Sequence, residues 1–91
     1  MDSVKATVGR AVHYVSHGTP VRPDGSQAYR SVCRAATVTE VDPDQVERVG
    51  LAVHNPTGTF FRPLEGGGCM QDEPKDGRRP EGGTWHWPER I

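Results

Sequence analysis

Three stretches of this chain alternate in side-chain character with a period of two, and none repeats at the spacing of a helix face. VGRAVHYVS (Val8 to Ser16) sets Val8, Arg10, Val12 and Tyr14 on one face and Gly9, Ala11, His13 and Val15 on the other. VCRAATVTEV (Val32 to Val41) is rich in β-branched residues and sets Val32, Arg34, Ala36, Val38 and Glu40 against Cys33, Ala35, Thr37, Thr39 and Val41. RVGLAVH (Arg48 to His54) puts Val49, Leu51 and Val53 on one face. A chain patterned in this way builds sheet.

The breaks between these stretches agree. With 11 Gly and 8 Pro among 91 residues, much of the chain is turn and loop. Pro23-Asp24-Gly25 marks a turn inside a long loop over residues 17–31. Asp42-Pro43-Asp44-Gln45 has the form of a helix start, with a carboxylate cap and proline at the first helical position, but Gly50 leaves room for one turn only. Asn55-Pro56-Thr57-Gly58 reverses the chain into Thr59-Phe60-Phe61-Arg62, making a hairpin. Residues 63–82, with Gly66-Gly67-Gly68 and three prolines, form a second long loop, and residues 1–7 form a frayed start.

The chain returns through Gly83-Thr84-Trp85-His86-Trp87-Pro88, which holds both tryptophans. Extended, it puts Trp85 and Trp87 on one face and Thr84 and His86 on the other. The simplest role for two indoles on one face is to close a small core as the last strand. The expected architecture is a single all-β domain over residues 1–91: a small, strongly bent antiparallel sheet, an SH3-like barrel of four to five strands with long loops. An open meander closed by a homodimer is the alternative, because apolar residues are only 33% of the chain.

VGRAVHYVS, CRAATVTEV, VGLAVHNPTGTFF, the acidic pair Asp72-Glu73 and the terminal GTWHWPER together resemble a group of short proteins encoded by bacteriophages and prophages, many of them actinobacterial. Its members share a VHYV-type start and a GTWHWPE-type end. The resemblance covers most of the chain and implies origin, without an activity; the host cytoplasm is expected separately, from the free thiols and the lack of a membrane span. No catalytic or binding residue is carried over from it. The loop from Gly18 to Ser31 and the glycine-rich run before Asp72 are longer than the usual pattern.

Function is bounded more by exclusion. A net charge of -1 lacks the basic footprint of a phosphate-backbone binder, so a nucleic-acid-binding barrel ranks third. No apolar run approaches a membrane span. Cys33 and Cys69 follow neither zinc-ribbon nor CxxC spacing and are expected as free thiols. His13, Cys33, His54 and His86 all fall on expected strands, but no spacing among them is diagnostic of zinc, so neither metal nor cofactor is expected. Asp72-Glu73 reads as a solvated acidic turn, and nothing places a nucleophile beside a base, so the protein is expected to be no enzyme.

What remains is binding by occupancy or sequestration of a host factor or a host small molecule. Trp85, Trp87 and Tyr14 offer aromatic faces, and Arg34, His13 and His86 offer charge or hydrogen bonds, a set suited to a planar anion such as a signalling nucleotide. The other expectation is a protein-interaction or phage-assembly module centred on Phe60 and Phe61.

Overall fold

The computed structural model describes residues 5–88. The domain is all-β, with no α-helix among the described residues. Its strands are β1 (Ala11–Val15), β2 (Cys33–Val41), β3 (Arg48–Asn55), β4 (Gly58–Arg62), β5 (Cys69–Met70) and β6 (Trp85–His86), with one 3-10 turn at Leu64–Gly66. They form one antiparallel sheet in the order β4, β3, β2, β1, β6, and β5 also pairs with β3.

The alternation explains which side chains go inside. In β1, Val12 and Tyr14 are buried as their shared parity requires; across β2 and β3 the same layer continues through Ala36, Val38, Leu51 and Val53. Directly opposite residues of antiparallel strands share a face, and Tyr14 stands between Arg34 of β2 and Trp85 of β6. Burial continues on the other face at Val15 and Ala52, so the sheet is covered in part on both sides.

The first strand starts later than the pattern suggests, because Gly9 turns at φ 93° and leaves Val8 in solvent. Of the start expected to fray, residues 1–4 lie outside the described residues, while Ala6 is 4% exposed and packs into the core. The helix start expected at Asp42 does not propagate. Its carboxylate instead accepts the Asp44 amide at 2.9 Å and holds Arg48 Nε at 3.0 Å, tying two successive turns that lead into β3.

The hairpin is as expected: Asn55 pairs with Gly58, leaving Pro56 and Thr57 as the loop. Residues 63–82 are not structureless, however. After β4 and the 3-10 turn, β5 returns to the same strand, so β3 carries β4 along Leu51–Asn55 and β5 at Arg48–Val49, with β2 on its other flank.

The closed barrel expected from the sequence is not reached, since the ladder order leaves the sheet open. One isolated parallel bridge, between Gln71 and Trp85, links the segment after β5 to β6. Around it, the Glu47 carbonyl accepts both the Gln71 amide at 3.0 Å and Trp85 Nε1 at 2.9 Å, and the Asp72 amide donates to the Trp85 carbonyl at 2.9 Å.

Candidate functional site

The terminal stretch splits its side chains between two environments, as its parity requires. Trp85 is 1% exposed and lies in the core, with its indole N–H satisfied by a backbone carbonyl. Trp87 meets it edge to face at 5.4 Å and carries the Arg10 guanidinium 5.7 Å from its ring centre. The backbone N–H of Trp87 donates to Glu73 Oε2 at 2.9 Å, so one member of the acidic pair fixes this strand end. Glu89 and Arg90, at the end of the motif, lie outside the described residues.

His86 takes the opposite side of β6. It is 4% exposed and faces His13 directly across the β1–β6 pair, the two rings edge to face at 5.3 Å. Cys33 of β2 completes the group, its Sγ 3.7 Å from His86 Nε2. His54, also expected on a strand, stands apart: its ring nitrogens lie 3.0 Å from Thr37 Oγ1 and 3.2 Å from Thr59 Oγ1.

The six side chains expected to hold a planar anion therefore do not share one pocket. Tyr14, Trp85 and Arg34 lie on one face, His13 and His86 on the other. Tyr14 and Trp85 are both core residues, each 1% exposed. Burial pushes the Tyr14 hydroxyl and the Cys69 thiol above their usual pKa, and the nearby Arg62 guanidinium pulls partly in the other direction.

Two hollows among the described residues bear on these side chains. One, of about 360 Å³, lies beside His86 and Trp87 and is bounded by Glu73, Arg78 and prolines 74, 80 and 88. The other, of about 280 Å³, is lined by Tyr14, His17, Phe61, Arg62, Cys69 and flanking glycines. Arg62 places its guanidinium over two rings, 5.8 Å from Tyr14 and 5.5 Å from Phe60. Sequence reasoning missed this cation, since nothing in the order Phe60-Phe61-Arg62 says that the chain folds Arg62 back over β1.

Asp72, read from sequence as a solvated acidic turn, is instead a small hub. It accepts Arg78 Nη2 at 2.9 Å and Nη1 at 3.2 Å, one on each carboxylate oxygen, and the Glu81 amide at 2.9 Å. The Arg78 bonds first, and the Glu81 amide next, hold its carboxyl below the usual aspartate pKa. A lowered folded-state pKa gives stability that is complete above the unfolded value of about 3.9 and is lost as pH falls through the folded one. We expect acid to lower the melting temperature of the parent protein more than that of Asp72→Asn, with the difference growing as pH falls below the unfolded value of about 3.9. Equal acid sensitivity in the two would remove Asp72 from this role.

The β4 edge is the other exposed feature. All five residues of Gly58–Arg62 are exposed, with Phe60 at 39% and Phe61 at 68%. Among the described residues its only ladder partner is β3.

Comparison with protein-family models, with curated proteins and with solved structures found no match to this chain. No helix among the described residues is long and apolar enough to cross a membrane.

Proposed function

We propose that this protein is a non-enzymatic binding module of phage or prophage origin, acting in the host cytoplasm by occupying a host protein, with β4 as its contact. The carrying observation is an edge strand that presents both its backbone and two phenylalanines to solvent. Natural sheets usually blunt their edges with charge, proline or a covering segment, and an uncovered aromatic edge is a template for a partner strand. Phe60 and Phe61 point to opposite faces, so an added strand would meet an aromatic anchor on each side of the extended sheet. The fold in this reading is an SH3-like barrel short of one ladder, supported by the Gln71–Trp85 bridge between β6 and the segment after β5.

The test replaces the anchor and leaves the fold. Phe61→Asp is a surface change expected to move stability by no more than about 0.5 kcal/mol, while loss of a central aromatic contact weakens partner binding by about 30-fold or more. A variant that co-elutes with its host partner as the parent does would defeat the proposal.

A second reading rests on the 360 Å³ hollow beside Trp87 and His86, which suits sequestration of a small planar anion such as a nucleotide. Arg78 supplies the cation there in place of Arg34, although its guanidinium is already held by Asp72. Native mass spectrometry of protein purified from its host separates the readings. A small organic mass lost on denaturation supports the hollow, and a bare chain with a retained protein partner supports the edge.

A further inference from the structure

We propose that His13, Cys33 and His86 form a binding site for one divalent transition-metal ion, with zinc as the ion that suits the donor set. The three side chains come from three adjacent strands. His13 and His86 are direct cross-strand partners, and Cys33 lies diagonally from His13, two residues along β2 from His13's partner Ala35. All three residues therefore share the face opposite Tyr14 and Trp85. One ligand atom from each lies within 4.8 Å of the others, and the Cys33 to His86 separation is 3.7 Å.

Those distances decide in favour of a site. With zinc–sulfur near 2.3 Å and zinc–nitrogen near 2.0–2.1 Å, tetrahedral geometry puts ligand atoms roughly 3.3–3.6 Å apart. The Cys33–His86 pair already meets that spacing to about a tenth of an ångström, and the widest separation in the group, at most 4.8 Å, needs to close by no more than about 1.2–1.5 Å, within reach of side-chain rotation. Two imidazoles and a thiolate are a borderline-soft donor set, which favours zinc over magnesium or calcium. Three protein donors leave a fourth tetrahedral position for water or an exogenous ligand. Cys33 is exposed and gives the ion its path in, while buried His86 fixes the base of the site. Binding exchanges the thiol proton for the metal: the S–H bond breaks, a sulfur–metal bond forms and one proton leaves to solvent, so affinity falls in acid.

The site lies away from β4 and is independent of the partner reading above. It would fasten β6, a strand of only two residues, through β1 to β2.

The full chain, kept reduced, is titrated with Co²⁺ as the spectroscopic probe and then with Zn²⁺. We expect one equivalent of cobalt to give the intense visible absorption of a tetrahedral site together with a thiolate-to-cobalt charge-transfer band. One equivalent of zinc should displace it, raise the melting temperature and protect Cys33 from alkylation. Because His86 is buried and its variants risk failing to fold, Cys33→Ser and His13→Ala carry the test. The first abolishes the charge-transfer band, and each weakens zinc by at least about tenfold. His54→Ala, outside the group, leaves binding unchanged. Absence of a tetrahedral cobalt spectrum overturns the proposal, and so does zinc affinity that survives in both Cys33→Ser and His13→Ala.

Discussion

Trp85→Ala is expected to cost about 3–5 kcal/mol of unfolding free energy, the range for removing a large aromatic from a packed core. Domains of this size hold about 5–14 kcal/mol in all, so the variant should be partly unfolded at room temperature or melt far below the parent. Two losses combine. The indole leaves a void against Tyr14 and the valines of β1 and β3, and its N–H no longer bonds to the Glu47 carbonyl, which keeps only the Gln71 amide. Trp85→Phe keeps most of the apolar volume and should cost less, about 1–2 kcal/mol for the lost hydrogen bond and residual void. Trp87→Ala, at a half-buried position, should cost less than Trp85→Ala. Urea unfolding followed by far-ultraviolet circular dichroism reads all three. If Trp85→Ala unfolds within about 1 kcal/mol of the parent, the core does not depend on this side chain as its burial indicates.

The second large effect is expected at Gly82 and Gly83, where the chain passes tightly over His17. Gly83 has φ 85°, a conformation that costs an ordinary L-residue about 1–2 kcal/mol. A Cβ there would also sit 2.7 Å from two atoms of the His17 ring. At Gly82 the obstacle is main chain: a Cβ would lie 2.9 Å from His17 Cα and 3.2 Å from the Ser16 carbonyl. The two glycines lead into β6 through the bonds from the Gly83 amide to the Val15 carbonyl, 2.7 Å, and from the Val15 amide to the Thr84 carbonyl, 2.9 Å. We expect the double variant Gly82→Ala, Gly83→Ala to lose about 2–4 kcal/mol, read by thermal and urea unfolding. Adding His17→Ala should recover the ring clash at Gly83 and leave the Gly82 loss in place. A double variant that melts with the parent would show that the segment shifts away from His17 without penalty.

Much of the sheet is legible in the sequence because three of its strands are long enough for a period of two to show. β2 and β3 match their expected limits to within a residue, and Asn55-Pro56-Thr57-Gly58 announces its hairpin through a proline that presets one dihedral angle. β5 was hidden in a glycine-rich loop for a plain reason: two residues cannot display a repeat. Cys69 is held there by burial against the core, and burial is decided by the rest of the fold. Closure is likewise invisible locally. Whether β6 joins β1 alone or also meets the end of β5 depends on how far β3 bends, and no single segment encodes that.

For the site, parity was readable and register was not. The alternation of Trp85-His86-Trp87 separates His86 from the indoles, and that of β1 separates His13 from Tyr14, as the structure has them. That His13 stands opposite His86, with Cys33 beside them and His54 elsewhere, depends on strand order across distant parts of the chain. The grouping of Arg34 with His86 fails for the same reason, since Arg34 faces Tyr14 on the other side of the sheet.

The pairing of β1 with β6 also bears on how the chain reaches its native state. The β2–β3–β4 meander joins near neighbours in sequence, so its loop-closure entropy is small and it is free to assemble early. Tyr14 and Trp85 come together only after nearly the whole described chain has been drawn in, through a contact that is slow to find and is secured by a two-residue strand. Until that contact forms, the valines of the meander face water. The valine-rich half-sheet is thus the species most exposed to self-association, and the arrival of β6 both completes the core and ends that exposure.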